Sequence, residues 1–143
     1  MPTPAENHDL MGCFACGSDN PAGMHLSFDM LAPGEVEARC RLDAAWTGWR
    51  GLAHGGLLAI MMDEALGWAV ATIGRTALTA RIEVRYLVPV RPGADLVVAA
   101  KVLRRDRRIA DVQAEVRLPG GRMVASSRAT MVYADDLPLP SET

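Results

Sequence analysis

The sequence has few of the features that mark secreted, membrane-bound or nucleic-acid-binding proteins. Its three cysteines are an odd number and too few for a disulfide framework. The net charge of -2 gives no general attraction to nucleic acid or to anionic membranes. The polar N-terminus has no apolar signal core, and no segment is typical of a transmembrane helix. We therefore expect a cytoplasmic protein without nucleic-acid or membrane partners.

The length of 143 residues suits one domain, and half of the residues are hydrophobic, so a sizeable core can form. We expect a flexible N-terminal arm at residues 1–12, a single domain at residues 13–134 and a flexible, proline-broken tail at residues 135–143. Roughly a third of the unfolded-chain surface stays exposed at this size, so partner subunits could help to bury it.

The hydrophobic pattern changes its period twice along the chain. Two short strand-like runs, Met24–Leu31 and Glu35–Leu42, precede a loop rich in Trp and Gly. Leu57–Ile73 contains no proline and ends before Gly74, which predicts a helix. Four strands with period-two alternation follow: Thr79–Val88, Asp95–Arg104, Ile109–Leu118 and Arg122–Tyr133. The pattern predicts an α+β fold in which an antiparallel sheet is wrapped around one central helix.

The predicted helix is apolar nearly all round, yet it holds two adjacent carboxylates. A buried charge is costly unless it is paired or used. At about 100° per residue, Asp63 has the small residues Ala59 and Gly67 one turn away, whereas Glu64 lies next to Trp68. Another group can therefore approach Asp63 closely. A structural Asp held by core hydrogen bonds remains the alternative.

His54-Gly55-Gly56 directly precedes the predicted helix. Glycines let a second molecule approach the backbone N–H groups at the positive helix end, and such groups suit a carbonyl oxygen that becomes negative in the transition state. His54 and Asp63 lie about 13 Å apart along the axis and point to opposite sides. One chain alone would struggle to bring both to one substrate, so we predict an obligate homodimer of antiparallel helices with two shared sites.

Several segments resemble those of a known family. Gly51–Gly67 resembles the signature of hotdog-fold acyl-CoA thioesterases of the phenylacetyl-CoA thioesterase type, and Val84–Gly93 and Gly121–Ala125 are similar to that family's later strands. Cys13–Gly17 resembles the CxxCG lead-in of one branch. The resemblance spans about residues 12–134. It implies a hotdog fold and hydrolysis of acyl-CoA to free acid and CoA without a metal or organic cofactor. We expect a homodimer or a homotetramer, and the choice between the two stays open.

The resemblance also implies roles for individual residues. Asp63 matches the family's catalytic Asp, which acts as general base on water or as nucleophile. Gly55 matches the oxyanion N–H donor, His54 shapes the turn, and Thr79 matches a Ser or Thr that helps to position the water. Related enzymes often carry an Asn or Gln shortly before the His-Gly-Gly. The segment 46–51 has neither, so a water-orienting amide is absent or supplied elsewhere.

Substrate contacts are predicted from the same resemblance. In the family, positions matching Arg91 and Arg104–Ile109 contact CoA, and arginine pairs well with phosphate. A solvated hairpin tip is the alternative reading of the arginines. The tryptophans near the site could line a pocket for an aromatic or medium-length acyl chain, or pack in the core. The candidate substrate-binding residues are Gly56, Trp49, Tyr86, Pro89, Arg91, Arg104, Arg107 and Arg108.

The cysteines allow two other readings. Cys13 and Cys16 could form a zinc site with His25 and Cys40, but the second CxxC or HxxxH spacing of such sites is absent. A thioredoxin-like redox pair would need a surrounding βαβ unit, which the pattern does not show. We therefore expect a turn with a half-buried thiol and no bound metal.

Three functions remain in view at this point. The first is hydrolysis of an acyl-CoA. The second is dehydration or hydration of an acyl thioester, which usually needs a His beside a carboxylate, and His54 is its only candidate at the helix. The third is a non-catalytic acyl-CoA binding module, in which Asp63 would be dispensable. The acyl group and the choice between CoA and a carrier-bound pantetheine stay open.

Overall fold

The computed structural model describes residues 12–135. Apart from Gly12 and Asp135, the predicted arm and tail lie outside this range. The elements in chain order are β1 (Asp29–Ala32), β2 (Glu35–Arg41), a short 3-10 helix (Trp49–Gly51), α1 (Gly55–Ala71), β3 (Ala77–Tyr86), β4 (Asp95–Arg105), β5 (Ile109–Arg117) and β6 (Met123–Tyr133). The α+β prediction is confirmed. No helix within the described range is long and apolar enough to cross a membrane.

The six strands form one antiparallel sheet in the order β1-β2-β4-β5-β6-β3. β4, β5 and β6 follow one another as hairpins, and β3 pairs with β6 at one edge of the sheet. Leu78, Ile82 and Tyr86 are exposed on β3. An edge strand with unpaired backbone groups and exposed apolar side chains is a ready template for pairing with another chain.

Helix α1 packs on the sheet and supplies much of the core. Its fully buried side chains include Met61, Met62 and Leu66, which face the apolar side chains of the sheet. The segment before β1 also packs against the helix, since Cys13 contacts Glu64. The expectation that the helix is surrounded is corrected in one respect: Asp63 is exposed. The sheet and the lead-in leave this side of the helix open within one chain.

Three predicted boundaries are corrected. β1 begins at Asp29 and not at Met24, because the N–H groups of Met24 and Leu26 donate to carbonyls of the CxxCG segment at 2.8 Å. α1 begins at Gly55, two residues before the predicted start, and ends at Ala71. The third strand likewise runs two residues earlier than predicted, over Ala77–Tyr86.

A bulge in β3 changes which side chains share a face. Thr79 is paired with Met131 and Arg81 with Thr130, so one residue of β3 is extra. Strict alternation predicts Thr79 on the face opposite Tyr86. The bulge shifts the register by one residue, so both side chains face α1, as their hydrogen bonds to the helix show.

Candidate active site

The carboxylate of Asp63 is oriented by a hydroxyl from β3. The Thr79 Oγ1–H group donates to Asp63 Oδ1 at 2.6 Å. The helix presents Asp63 on its open side, and the bulge turns Thr79 toward it. No Lys, Arg or His within residues 12–135 forms a salt bridge with Asp63. The site therefore offers an accessible carboxylate, held in place, that can accept a proton or attack a carbonyl.

The first turn of α1 offers a backbone donor. His54 is the N-cap, and its Nδ1 accepts the Gly56 N–H at 2.9 Å. The Leu57 N–H donates to the His54 carbonyl at 3.0 Å. The Gly55 N–H has no hydrogen-bond partner within the described range. Gly55 therefore carries the N–H that is free at the positive helix end. The Gly56 N–H is already bonded, so a contact of Gly56 with the substrate would have to use other atoms of that residue.

Tyr86 fixes the position of the Gly55 peptide. The Tyr86 hydroxyl donates to the Gly55 carbonyl at 3.0 Å. A Cβ atom on Gly55 would lie 3.2 Å from Cε1 of the Tyr86 ring, which is tighter than an ordinary contact. Glycine is therefore the residue that lets the Tyr86 ring lie against the start of the helix.

The two halves of the site are apart within one chain. Asp63 and Thr79 form one group, and Gly55 and Tyr86 form another. Gly55 and Asp63 are eight residues apart on one helix, or about 12 Å along the axis. A thioester carbonyl that accepts the Gly55 N–H therefore lies out of reach of the Asp63 carboxylate of the same chain.

The loop before α1 and the loop after β3 meet beside the helix N-terminus. The Ala53 N–H donates to the Val90 carbonyl at 2.9 Å, which places Pro89 and Arg91 at this end of the molecule. Trp49 lies in the 3-10 helix of the first loop and is 75% exposed, with the guanidinium of the next residue 4.3 Å from its ring centroid. Its side chain is thus available to a substrate and is not part of the core.

The other predicted arginines lie at the opposite end of the helix. Arg104, Arg107 and Arg108 are exposed around the turn between β4 and β5. The Tyr133 N–H, at the end of β6, donates to the Arg108 carbonyl at 3.1 Å. That end of β6 pairs with the start of β3, just after the helix C-terminus. The structure therefore does not bring these arginines together with Arg91 within one chain.

Sequence comparison decides the family. The sequence model of the Thioesterase superfamily matches residues 50–125, just over half of the chain. The match includes Gly55, Asp63 and Thr79. The chain belongs to the thioesterase superfamily. The expected enzyme class, a thioester hydrolase, is thereby confirmed.

Relatives and solved structures agree with this family. Human acyl-coenzyme A thioesterase 13 is 28% identical over 102 residues, which cover 69% of this chain and 73% of that protein. The PaaI protein from the phenylacetic acid degradation operon of E. coli is 19% identical with a TM-score of 0.72, covering 77% of this chain and 80% of that one. A hypothetical thioesterase of Streptococcus pneumoniae TIGR4, in a crystal structure with coenzyme A, is 20% identical with a TM-score of 0.71, covering 76% of this chain and 84% of that one. The expected hotdog fold is confirmed.

The lead-in of this thioesterase contains a cluster that the sequence does not predict. Cys13, Cys16 and Glu64 have ligand-type atoms within 4.8 Å of one another, whereas His25 and Cys40 do not join them. Burial and the neighbouring Glu64 carboxylate raise the pKa of the Cys16 thiol well above its ordinary value. The pair precedes β1 of an antiparallel sheet and does not lie in a βαβ unit, so the thioredoxin-like reading is not supported. No sequence pattern links residues 13 and 64. The carboxylate of Glu64 in an apolar helix is the one feature of the sequence that indicates a polar partner for this residue.

The N-cap role of His54 leads to a stability prediction. We expect His54→Ala to lower the free energy of unfolding by about 1 kcal/mol, because the Gly56 N–H loses its acceptor. His54→Asn is the matched control, since an Asn side-chain oxygen can accept the same N–H, and its loss should be less than half as large. Urea unfolding at one fixed protein concentration measures both. Equal losses in the two variants would contradict the capping role.

Proposed function

We propose that this thioesterase hydrolyses an acyl-CoA to the free acid and CoA, with Asp63 as its catalytic carboxylate. The observation that carries the proposal is the exposed Asp63 on a mostly apolar helix, oriented by the Thr79 hydroxyl at 2.6 Å. The similarity to human acyl-coenzyme A thioesterase 13 supports the choice of an acyl-CoA substrate.

In the proposed reaction, Asp63 accepts a proton from water while the water oxygen attacks the thioester carbonyl carbon. The carbonyl oxygen becomes negative and accepts the free Gly55 N–H at the positive end of α1. The C–S bond then breaks, and the CoA thiolate takes the proton from Asp63. Direct attack by the Asp63 carboxylate would instead give an acyl-enzyme anhydride that water hydrolyses. Both routes need the same free carboxylate and the same donor.

Two subunits would complete each site. About 12 Å of helix separates Gly55 from Asp63 in one chain, which supports a donor from an antiparallel partner helix. The exposed apolar edge strand β3 and the open side of α1 lie where such a partner would pack. We propose a homodimer with two shared sites, and a homotetramer formed from two dimers. Residues 13–134 would form the single domain of each subunit.

The same arrangement would explain the separated arginines. In an antiparallel pair, the helix C-terminus of one subunit lies near the helix N-terminus of the other. Arg91 of one subunit would then lie on the same side of the dimer as Arg104, Arg107 and Arg108 of its partner. Together these guanidinium groups would bind the phosphates of CoA, while Trp49, Pro89 and Tyr86 would contact the pantetheine or acyl part.

The test of this function is thiol release from a panel of short, long, aromatic and hydroxylated acyl-CoAs. We expect free CoA thiol to appear, fastest with aromatic or medium-length acyl groups. Tight CoA binding without turnover on any member would overturn the proposal in favour of a binding module. A change in the double bonds of the acyl chain without free thiol would overturn it in favour of a dehydratase or hydratase.

Shared sites predict that two inactive chains can restore activity together. A heterodimer of one Asp63→Asn chain and one Gly55→Pro chain would contain one site with both intact groups and one with neither. We expect about half of the wild-type activity per dimer, while each parent homodimer is inactive. The heterodimer is isolated by co-expression with two different tags, from a dimer fraction that gel filtration separates from tetramers, because a tetramer of two parent homodimers would carry both tags. If it is as inactive as its parents, each site is built from one chain and the proposed arrangement is wrong.

A further inference from the structure

The lead-in and the helix form a second cluster of chemically competent side chains, on a different side of α1 from the Asp63 carboxylate. The Cys13 thiol donates a hydrogen bond to Glu64 Oε1 at 3.7 Å, and the ligand-type atoms of Cys13, Cys16 and Glu64 all lie within 4.8 Å of one another. Zn–S distances of about 2.3 Å and Zn–O distances of about 2.0 Å place the ligands of a tetrahedral zinc ion roughly 3.5–3.8 Å apart. The atoms of the cluster therefore lie close to, and slightly wider than, the spacing of the ligands around a bound zinc ion.

The backbone holds the two thiols in place. The Gly17 N–H donates to the Cys13 carbonyl at 2.8 Å and closes the turn between the cysteines. The N–H groups of Met24 and Leu26 donate to the carbonyls of the two residues that follow Cys13, also at 2.8 Å. This turn is thus fixed by hydrogen bonds from both of its flanks and does not depend on the thiols for its shape.

The Glu64 carboxylate is held in one orientation but forms no salt bridge with a basic side chain of the described residues. The Trp68 Nε1–H group donates to Glu64 Oε1 at 3.2 Å, the kind of outer contact that fixes a metal-binding carboxylate. Glu64 is half-buried, and no Lys, Arg or His in the part of the chain that the structure describes forms a salt bridge with it. Its charge is met by hydrogen bonds from the Trp68 indole and from the Cys13 thiol, a weak donor whose proton a divalent cation can replace.

We propose that Cys13, Cys16 and Glu64 bind a zinc-class divalent cation, with water as the fourth ligand. Binding releases the two thiol protons to solvent and cross-links the lead-in to α1 by coordination to the cation. The adjacent residues Asp63 and Glu64 point about 100° apart on the helix, so the cation lies beside the active-site face and takes no part in hydrolysis. The role of the proposed cation is structural.

Metal content and cobalt spectroscopy test this site independently of thioesterase activity. The full chain is prepared reduced and without a histidine tag, incubated with zinc and dialysed against metal-free buffer. We expect about one zinc per chain by mass spectrometry, and a thiolate-to-cobalt charge-transfer band in the near ultraviolet when Co²⁺ replaces zinc. Cys16→Ser should lose the zinc, and Glu64→Gln should weaken zinc binding by roughly tenfold or more while keeping the acceptor for Trp68.

Cys40→Ser is the matched control, because Cys40 is also a buried thiol but lies in β2 outside the cluster. It should keep the zinc and the charge-transfer band. Circular dichroism confirms that each variant is folded, and a chelator should lower the melting temperature of the wild type but not that of Cys16→Ser. A folded, reduced wild type that retains no zinc and gives no thiolate band with Co²⁺ would overturn the proposal. So would equal zinc retention in Cys16→Ser.

Discussion

Asp63→Asn is expected to lower kcat/KM for acyl-CoA hydrolysis by about 10³-fold, the loss typical of removing a positioned general base. Asn has nearly the same size as Asp and keeps an oxygen that can accept the Thr79 hydroxyl, so the contact at 2.6 Å can be retained. What is lost is the ability to accept a proton or to attack as an anion. Steady-state thiol release on the best acyl-CoA of the panel measures the effect.

The Asp63 variant has a matched control in another exposed aspartate. Asp63→Asn keeps the size of the side chain and the contact with Thr79, so it should change the melting temperature little. Asp29→Asn makes the same chemical change in β1, which is separated from β3 by the whole width of the sheet, and should leave kcat/KM near the wild-type value. A folded Asp63→Asn enzyme that keeps more than about a tenth of wild-type kcat/KM would remove Asp63 from the mechanism.

Much of the fold could be predicted because each element has a clear local pattern. The helix has no proline and is bounded by glycines, and the last four strands alternate with short turns between them. The start of the sheet was harder to predict. Residues 24–28 alternate like a strand, but Met24 and Leu26 pair with the CxxCG segment, a contact that no local pattern specifies.

The site shows where a single sequence stops being informative. The residue types and spacing of His54-Gly55-Gly56 and Asp63 predict the proposed chemistry and the proposed sharing of each site by two chains. The contact of Thr79 with Asp63 depends on a β-bulge. Strict alternation does not predict this bulge and places the Thr79 side chain on the wrong face of the strand. The approach of Cys13 to Glu64 depends on how the lead-in folds back onto α1, because 51 residues separate the two side chains.

Gly55→Pro is expected to lower kcat/KM by about 10²-fold or more, the usual loss when one oxyanion donor is removed. Proline removes the N–H that is free within the described residues and suits the first position of a helix. It also requires an extended residue before it, and His54 already has φ -63° and ψ 128°. The substitution therefore deletes the donor at a position where the backbone can accept it.

Gly55→Ala separates the loss of the N–H from the added side chain. Both variants place a Cβ atom 3.2 Å from Cε1 of Tyr86, so both displace that ring by a few tenths of an ångström. Only Gly55→Pro lacks the donor. The expected loss in kcat/KM is therefore much larger for proline than for alanine, and it should appear in kcat because the N–H acts on charge that develops in the transition state. Equal losses in the two variants would mean that displacement of Tyr86 causes the effect, and the oxyanion donor would have to be sought elsewhere.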